Sequence, residues 1–283
     1  MEQREYLNNI HSEILKIMDI IDDLCEKNNI KYYMTGGTLL GAIRHNGFIP
    51  WDDDFDIAMP REDFDKFINL CKTKLPEGYS LLWISTKKDY WRLFAKISND
   101  RTQFIESIGE NEKTDSGIFV DIFPLDESVC YNHKLQKRKD IIEKIKVLIT
   151  AKKAPSVLGG WKRFASIILP NRLLFKLALI IMTLNNGKGY KYYSNFGSQY
   201  TIQKRTIEKE KIGDGIKVKF EDRMYYAPNC YIEVLEHIFG KNYMELPPVE
   251  KRKTHYPVFV KFSNGDEIAF EQQVNRLSIN DTY

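Results

Sequence analysis

Residues 36–57 have the sequence GGTLLGAIRHNGFIPWDDDFDI, and this stretch decides the fold. The preceding run IKYYMT is rich in β-branched and aromatic residues, paired glycines break it, and TLLGAIRH has the composition of a short helix. After a loop marked by Asn46-Gly47 and Pro50, the segment FDIAM predicts a second strand that Pro60 closes. The stretch therefore predicts a strand, a glycine turn, a helix and a strand.

Four carboxylates fall within the five positions 52–56. An acidic cluster of this density is costly unless cations neutralise it. If the segment is a strand, Asp54 and Asp56 point to one face and can bind a cation together, while Phe55 and Ile57 face the core. Oxygen ligands of this kind suit Mg²⁺ or Mn²⁺. A solvated acidic loop or a calcium site is the alternative.

The paired glycines and a third carboxylate complete the motif. Gly36 and Gly37 allow close approach of the backbone, and the free N–H groups at the start of the following helix attract phosphate oxygens. Asp121 is the one charge inside the apolar run GIFVDIF. A carboxylate buried there needs a partner or a metal, unless it caps the end of a strand. A phosphate-binding turn with carboxylates on adjacent strands is what a two-metal phosphoryl-transfer site requires.

The pattern of the remaining chain predicts the fold class. Apolar residues at helical spacing predict helices at residues 7–24, 61–74, 133–150 and 231–239. Four short strand-like runs, SLLWIS, WRLFAKIS, TQFIE and GIFVDIF, are separated by polar turns such as residues 98–100. Helices packed on a sheet in this order indicate an α/β or α+β fold. We place a catalytic core at residues 1–130 and a mostly helical, aromatic-rich extension at residues 131–283, with a soft boundary.

Composition restricts the class of protein. The chain has 283 residues, 43% of them hydrophobic and 29% charged, which excludes a disordered or fibrous protein. Lys and Arg number 42 against 39 Asp and Glu, a net charge of +3 that is too balanced to imply nucleic-acid binding. The start MEQREYLNNIHSEILK lacks the features of a signal peptide, so we expect a cytoplasmic protein. The four scattered cysteines predict reduced, structural thiols and no zinc site.

Residues 164–184 are strongly apolar but contain Pro170, Arg172 and Lys176, so a transmembrane span is not expected. Four basic residues precede this segment: Lys152, Lys153, Lys162 and Arg163. A basic flank beside an apolar helix is typical of peripheral contact with an anionic membrane surface, here the inner face of the cell membrane. A helix that covers the sheet is an equal alternative.

Four segments together resemble the LicD family, which includes bacterial cholinephosphotransferases and, more distantly, fukutin and fukutin-related protein: GGTLLGAIRHNGFIPWDDDFDIAM, FAKISNDRTQFIE, GIFVDIFPLD and YMELPPVEKRKTH. The resemblance covers most of the chain and implies a nucleotidyltransferase-like mixed sheet with flanking helices. By this resemblance Gly36 and Gly37 form the turn, Asp54 and Asp56 the metal pair, and Asp121 the third carboxylate. The long stretch after the glycines implies an active-site loop at residues 44–51. The Cys cluster of fukutin-related protein has no counterpart here.

The resemblance also implies a reaction. Family members pass the phosphoalcohol of a CDP-activated alcohol to a glycan and release CMP. For this chain that implies CDP-choline as the favoured donor, Mg²⁺ or Mn²⁺ as cofactor, and catalysis by Asp54, Asp56 and Asp121, with Asp121 as the candidate general base. The expected acceptor is a bacterial surface or capsular glycan such as lipopolysaccharide or teichoic acid, free or lipid-linked. The alternatives are glycerol- or ribitol-phosphate transfer, nucleotidyl transfer to a sugar or protein, and a non-catalytic glycan-binding protein.

Substrate contacts are expected from the glycine turn and from nearby basic and aromatic residues: Gly36, Gly37, Thr38, Arg44, Trp51, Arg92, Lys96, Lys251, Arg252 and His255. The lysines and arginines among them are candidates for phosphate contacts, and a role as ordinary surface charges is the alternative for each. If the donor carries choline, its quaternary ammonium needs aromatic ring faces within about 6 Å. Trp51, beside the acidic cluster, is the expected wall of such a cage, and four residues of the aromatic-rich segment are further candidates: Tyr190, Tyr192, Tyr193 and Phe196. Packing in the core or on the surface is their alternative role.

Overall fold

A computed structural model of the chain describes residues 3–87, 90–109, 112–150, 169–252 and 257–270. Seven α-helices lie in these ranges: α1 Gln3–Lys27, α2 Gly36–His45, α3 Arg61–Lys74, α4 His133–Thr150, α5 Asn171–Thr183, α6 Lys209–Ile212 and α7 Tyr231–Phe239. A 3-10 turn, Val249–Lys251, follows α7. The predicted bounds of α3, α4 and α7 are confirmed, and the long N-terminal helix is confirmed to within a few residues.

Eleven strands lie in the same ranges: β1 Tyr33–Met34, β2 Asp56–Pro60, β3 Tyr79–Leu82, β4 Ala95–Gly109, β5 Glu112–Ser128, β6 Tyr192–Ser194, β7 Thr206–Glu208, β8 Ile216–Phe220, β9 Arg223–Ala227, β10 Phe259–Lys261 and β11 Glu267–Ala269. The main sheet has the order β1-β2-β5-β4-β10-β11, β3 also pairs with β4, and β6 and β7 extend the end of β5. The β2–β5 pair is parallel and the other pairs are antiparallel. This mixed sheet with flanking helices confirms the predicted α+β, nucleotidyltransferase-like class.

Helix α1 covers the central strands because its apolar residues repeat at helical spacing. Ile10, Ile14, Ile17 and Ile21 are fully buried, and α1 contacts both β4 and β5. Burial of a side chain of this size contributes about 1.5–3 kcal/mol. Helix α1 therefore packs against the two long strands of the sheet, β4 and β5.

Two strand boundaries differ from the sequence prediction. The turn predicted at residues 98–100 is wrong, because β4 continues through it with an irregular pairing between Asn99 and Phe104. The Thr102 hydroxyl bridges this irregularity, since it donates to the Asn99 carbonyl at 2.7 Å and accepts from the Ile118 N–H at 2.8 Å. Strand β2 begins at Asp56, so Asp54 lies in the loop before the strand.

The chain after residue 130 returns to the same sheet. Strand β6 pairs with β5, β10 pairs with β4, and α4 packs on α5. The boundary near residue 130 stays a prediction. The predicted helix at residues 164–184 is described from residue 169 onward, where α5 begins after Pro170; residues 152, 153, 162 and 163 lie outside the described ranges. Within those ranges, every helix is too short or too polar to cross a membrane.

A buried ion pair fastens α3 to the end of β5. Asp126 is fully buried and accepts hydrogen bonds from Arg61 Nε at 2.8 Å and Arg61 Nη2 at 2.9 Å. Asn186 Nδ2 donates to the same carboxylate at 2.8 Å. The pair ties the first turn of α3 and the segment before β6 to the strand that carries Asp121.

We expect Asp126→Ala to lower the free energy of unfolding by about 3–5 kcal/mol, because it leaves the Arg61 guanidinium buried without its carboxylate. The measurement is urea unfolding followed by circular dichroism. Glu62→Gln is the control, since it breaks an exposed ion pair with Lys66 and should change stability by less than about 1 kcal/mol. A double variant, Arg61→Met with Asp126→Leu, should recover most of the loss; equal instability of the single and double variants would contradict the assignment.

Candidate functional site

Three charged side chains meet in a row across three neighbouring strands. Asp56 of β2 lies opposite Asp121 of β5 in the parallel pair, and Lys96 of β4 lies opposite Asp121 in the antiparallel pair. Residues directly opposite each other on paired strands project to the same face of the sheet. Lys96 Nζ accordingly lies 3.0 Å from Asp121 Oδ1. The row is the centre of the candidate site.

The row opens into a cavity of about 330 Å³ that also contains Asp54. Five of the predicted site residues line it: Asp54, Asp56, Arg92, Lys96 and Asp121. The other lining residues are Thr35, Asp53, Trp91, Phe94, Phe104, Glu106, Phe119, Phe123, Lys146, Asn195, Gly197, Ser198, Gln199, Tyr200 and Arg205. The structure thus places the three predicted catalytic carboxylates in the lining of one cavity.

The carboxylates of this cavity are electrostatically crowded. Burial raises the pKa of Asp54 well above its usual range, and Asp52 and Asp56 raise it further. Burial raises the pKa of Asp56 to about 7, with a further contribution from Asp121. The pKa of Asp121 is also raised by burial, although the Lys96 ammonium opposes this shift. Additional positive charge in the cavity would stabilise the ionised forms.

The donor set fits a hard divalent cation in chemistry, since Asp54, Asp56 and Asp121 offer only oxygen ligands. Within the described ranges, no three His, Cys, Asp or Glu side chains are grouped closely enough to hold a metal ion as they stand. At Asp121 the Lys96 ammonium lies on Oδ1. A cation bound here would therefore compete with that ammonium and would offset the repulsion between Asp54 and Asp56.

The glycine turn lies at the edge of the same cavity. Helix α2 begins at Gly36, whose φ of +58° lies in the left-handed region that glycine tolerates best. A Cβ at Gly36 would lie 3.4 Å from Arg205 Nη2 and 3.5 Å from Asp56 Oδ2. A Cβ at Gly37 would lie 2.9 Å from Asp52 Oδ2. Gly36 is therefore favoured by its backbone conformation, and a side chain at position 37 would require the Asp52 carboxylate to move.

Thr38, a predicted substrate contact, is buried and has a structural contact. Its hydroxyl accepts a hydrogen bond from the backbone N–H of Asp56 at 2.8 Å. This bond fixes the first turn of α2 against the start of β2. Thr38 therefore positions Asp56.

Three other predicted contacts lie away from the lining of this cavity. Arg44 Nη1 donates to the carbonyl oxygens of Tyr243 and Glu245, both at 3.0 Å. Arg252 Nε donates to the Pro247 carbonyl at 2.9 Å, and Lys251 is exposed in the 3-10 turn. Arg44 and Arg252 thus hold the segment after α7. His255 lies outside the described residues.

The predicted active-site loop at residues 44–51 packs against the β8–β9 hairpin. The N–H of Phe48 donates to Glu221 Oε1 at 3.0 Å, and the N–H of Glu221 donates to the Asn46 carbonyl at 2.7 Å. Trp51 is the last residue of this loop, and the Arg252 guanidinium lies 4.9 Å from its ring centroid. The loop supports the acidic cluster, and the structure does not bring Trp51 into the cavity lining.

The aromatic rings that line the cavity differ from those predicted. They are Trp91, Phe94, Phe104, Phe119, Phe123 and Tyr200. Among the predicted rings, Phe196 is fully buried beneath the Arg138 guanidinium. Lys209 Nζ lies 4.8 Å from the ring centroid of Tyr193. Tyr190 and Tyr192 are likewise not among the lining residues. Several lining rings already face cations, since Lys96 Nζ lies 3.0 Å from the centroid of Phe119 and 5.8 Å from that of Phe94.

Sequence reasoning named Phe196 but missed the neighbouring residues that line the cavity: Asn195, Gly197, Ser198, Gln199, Tyr200 and Arg205. The loop at residues 195–200 is held by Lys139 of α4, whose buried ammonium donates to the carbonyl oxygens of Phe196 at 2.8 Å and Ser198 at 2.7 Å. The same ammonium pairs with Glu143 at 2.6 Å. The aromatic density of this segment is a sequence signal that points to the loop. The sequence around Lys139 and Arg205 contains no signal of this kind.

Comparisons with known proteins agree on one family. The family described as "LicD/FKTN/FKRP, nucleotidyltransferase domain" matches residues 29–147. The chain is 32% identical to "Lipopolysaccharide cholinephosphotransferase LicD" of Haemophilus influenzae over 267 residues, which cover 86% of this chain and 92% of that protein. It is 52% identical to an uncharacterized protein of Rickettsia typhi over 68 residues, 24% of this chain and 22% of that one. It is 47% identical to human "Ribitol 5-phosphate transferase FKRP" over 38 residues, 13% of this chain and 8% of that one.

We expect Lys139→Met to loosen the loop at residues 195–200, because two buried carbonyl groups lose their donor. The free energy of unfolding should fall by about 1–3 kcal/mol. Amide hydrogen exchange should rise in the loop more than in β4 or β5. Lys144→Met, an exposed change on the same helix, is the control. Unchanged exchange in the loop of the Lys139 variant would contradict this role.

Proposed function

Since the chain belongs to the LicD family of phosphotransferases, we propose that it transfers phosphocholine from CDP-choline to a hydroxyl of lipopolysaccharide or a related surface glycan, with a divalent metal ion. One observation carries the proposal: the three carboxylates of the sequence motif line one cavity beside the glycine turn. The H. influenzae relative, whose name specifies cholinephosphotransferase and lipopolysaccharide, is matched over 92% of its length.

The reaction we propose is an in-line displacement at the phosphorus that bears choline. The acceptor hydroxyl oxygen forms a bond to this phosphorus, the bond to the bridging diphosphate oxygen breaks, and CMP leaves with the electron pair. The hydroxyl proton passes to Asp121, whose raised pKa suits a general base. Lys96 beside Asp121 and Arg205 beside Asp56 place positive charge where negative charge develops.

The metal ion of this proposal is Mg²⁺ or Mn²⁺. Asp54, Asp56 and Asp121 would hold it, and it would supply charge that stabilises the transferring phosphoryl group. The crowding of these carboxylates supports this assignment, since their pKa values are raised by burial and by one another. Thr38 and the β2–β5 ladder keep Asp56 and Asp121 in place for this role.

The aromatic lining supports a choline-bearing donor. A quaternary ammonium offers no N–H, so ring faces must recognise it, each contributing about 0.5–2 kcal/mol. Phe94, Phe104 and Phe123 line the same cavity as the carboxylates. The second candidate is ribitol- or glycerol-phosphate transfer, which the short match to human "Ribitol 5-phosphate transferase FKRP" favours.

We also propose that α5 contacts an anionic membrane surface when the acceptor is lipid-linked. Apolar residues at helical spacing are exposed along this helix and its ends: Leu169, Leu173, Leu177, Ile180 and Leu184. Arg172 and Lys176 are exposed on the same helix. An apolar face with flanking basic residues binds anionic lipid in two ways. The apolar side chains are buried in the membrane surface, and the basic residues are attracted to the lipid headgroups.

The activity test measures CMP release from CDP-choline, CDP-glycerol and CDP-ribitol, with and without lipopolysaccharide. We expect release with CDP-choline, loss of activity in EDTA, and recovery in Mg²⁺ or Mn²⁺. Asp54→Asn, Asp56→Asn and Asp121→Asn should each lose about 100-fold or more in turnover without loss of folding, because each removes charge aimed at the metal and phosphate.

Asp23→Asn is the control, since this exposed carboxylate lies on α1 and pairs with Lys27. Near wild-type turnover of Asp54→Asn would show that the metal assignment is wrong. Release from CDP-ribitol alone would favour the second candidate. Mass spectrometry of the acceptor distinguishes nucleotidyl transfer, which would leave the base on the product.

The membrane test is co-sedimentation with phosphatidylglycerol vesicles at low and high salt. We expect binding that weakens as salt rises, because screening reduces the attraction of basic residues to the surface. A Leu173→Ser and Leu177→Ser double variant should bind more weakly, whereas Lys72→Glu on α3 should bind as the wild type does. Protein that stays in the supernatant at both salt concentrations would exclude membrane contact.

A further inference from the structure

The cavity contains four cations, and three of them already face a carboxylate. Lys96 pairs with Asp121 at 3.0 Å, and Arg92 Nη2 pairs with Glu106 at 2.8 Å. Lys146 pairs with Glu143, also on α4, at 3.3 Å. The fourth is Arg205. No carboxylate oxygen of the described residues lies within salt-bridge distance of its guanidinium, so its charge is not matched by a direct ion pair with them.

The backbone of Arg205 is fixed by two hydrogen bonds, whereas its guanidinium makes few hydrogen bonds to the described residues. The Arg205 carbonyl accepts from the Asn195 N–H at 3.0 Å, and the Arg205 N–H donates to the Ile202 carbonyl at 3.2 Å. The residue is only 5% exposed, and its buried Nε has no hydrogen-bond partner in the part of the chain that the structure describes. Nη1 makes one long hydrogen bond, 3.4 Å to Thr35 Oγ1. A guanidinium offers five N–H donors, so the described residues use only a small part of this capacity.

The guanidinium is directed at the start of α2. Its Nη2 would lie 3.4 Å from a Cβ at Gly36, a position that the glycine leaves open. The ring of Tyr200 supports the guanidinium from another side, at 4.5 Å from the centroid. Free backbone N–H groups at the first turn of a helix attract an anion. Guanidinium, glycine and helix terminus therefore surround one small space beside Asp56.

We propose that Arg205 binds a phosphate group of the substrate in this space, so that its guanidinium and the first turn of α2 hold the diphosphate of the donor. The bidentate donors of a guanidinium match two phosphate oxygens. The inference deepens the proposed function by assigning the diphosphate contact to a residue outside the part of the chain that the family match covers, residues 29–147. The Tyr200 ring positions the guanidinium. The hydrogen bond to Thr35 shows that the guanidinium extends to the residue before α2.

The stability of an Arg205 variant distinguishes phosphate binding from a purely structural role of this side chain. A buried charge without a matched carboxylate costs desolvation that its contacts offset only partly. Arg205→Met should therefore leave the urea midpoint of the ligand-free protein unchanged or raise it. A guanidinium that served mainly to hold the loop would show the opposite effect.

The test uses titration calorimetry with inorganic pyrophosphate and with CDP, on the full chain. Arg205→Met should weaken both ligands about 10- to 100-fold, as expected for the loss of charge-assisted hydrogen bonds. Arg205→Lys should fall between wild type and Arg205→Met, because it keeps the charge and loses the bidentate geometry. Arg101→Met, which removes an exposed cation from β4 outside the cavity lining, is the matched control and should bind as the wild type does.

The inference is overturned if Arg205→Met binds pyrophosphate and CDP as tightly as the wild type, or if the wild type binds neither. If the Met variant does not fold, equal binding by Arg205→Lys and wild type overturns it. CMP release from CDP-choline by the same preparations keeps the two proposals separate. Anion binding that depends on Arg205 without CMP release from any CDP-alcohol contradicts the proposed function alone, whereas CMP release with unchanged donor KM in the Met variant contradicts only the role of Arg205.

Discussion

The parallel pairing of β2 with β5 is the constraint on which the rest of the site depends. It places Asp56 opposite Asp121, and the antiparallel neighbour β4 adds Lys96 to the same row. A shift of one residue in either ladder would turn one of these side chains to the opposite face. Two contacts preserve this register: the buried Arg61–Asp126 pair at the end of β5, away from the cavity, and the hydrogen bond from the Asp56 N–H to the Thr38 hydroxyl, beside it.

Much of the fold could be predicted because its signals are local. Helices α3, α4 and α7 follow from apolar spacing and stop residues. The glycine turn and the three carboxylates also lie in short segments whose residue types state their chemistry. The polar run at residues 98–100 misled the prediction, because Thr102 satisfies backbone groups that a turn would otherwise have to expose.

Other parts of the site could not be predicted, because their significance arises only in three dimensions. Arg205 is separated from Gly36 by most of the chain, and nothing in its sequence neighbourhood distinguishes it from the basic residues around it. The same holds for Lys139, one of many lysines in α4, whose burial under the loop at residues 195–200 sets it apart. Conversely, Arg44 and Trp51 lie within the most informative motif and yet serve the packing of neighbouring segments.

The charges that the proposed function uses oppose the stability of the fold. Crowded carboxylates with raised pKa values and a poorly satisfied guanidinium all favour the unfolded, solvated chain over the ligand-free fold. The surrounding core supplies the stability that these groups remove, through α1 and the buried ion pair at Asp126. A ligand with an anionic diphosphate and a cation brings opposite charges to both sets of groups at once. If it binds as proposed, such a ligand would stabilise the folded state by mass action, because it would bind the assembled row and not the unfolded chain.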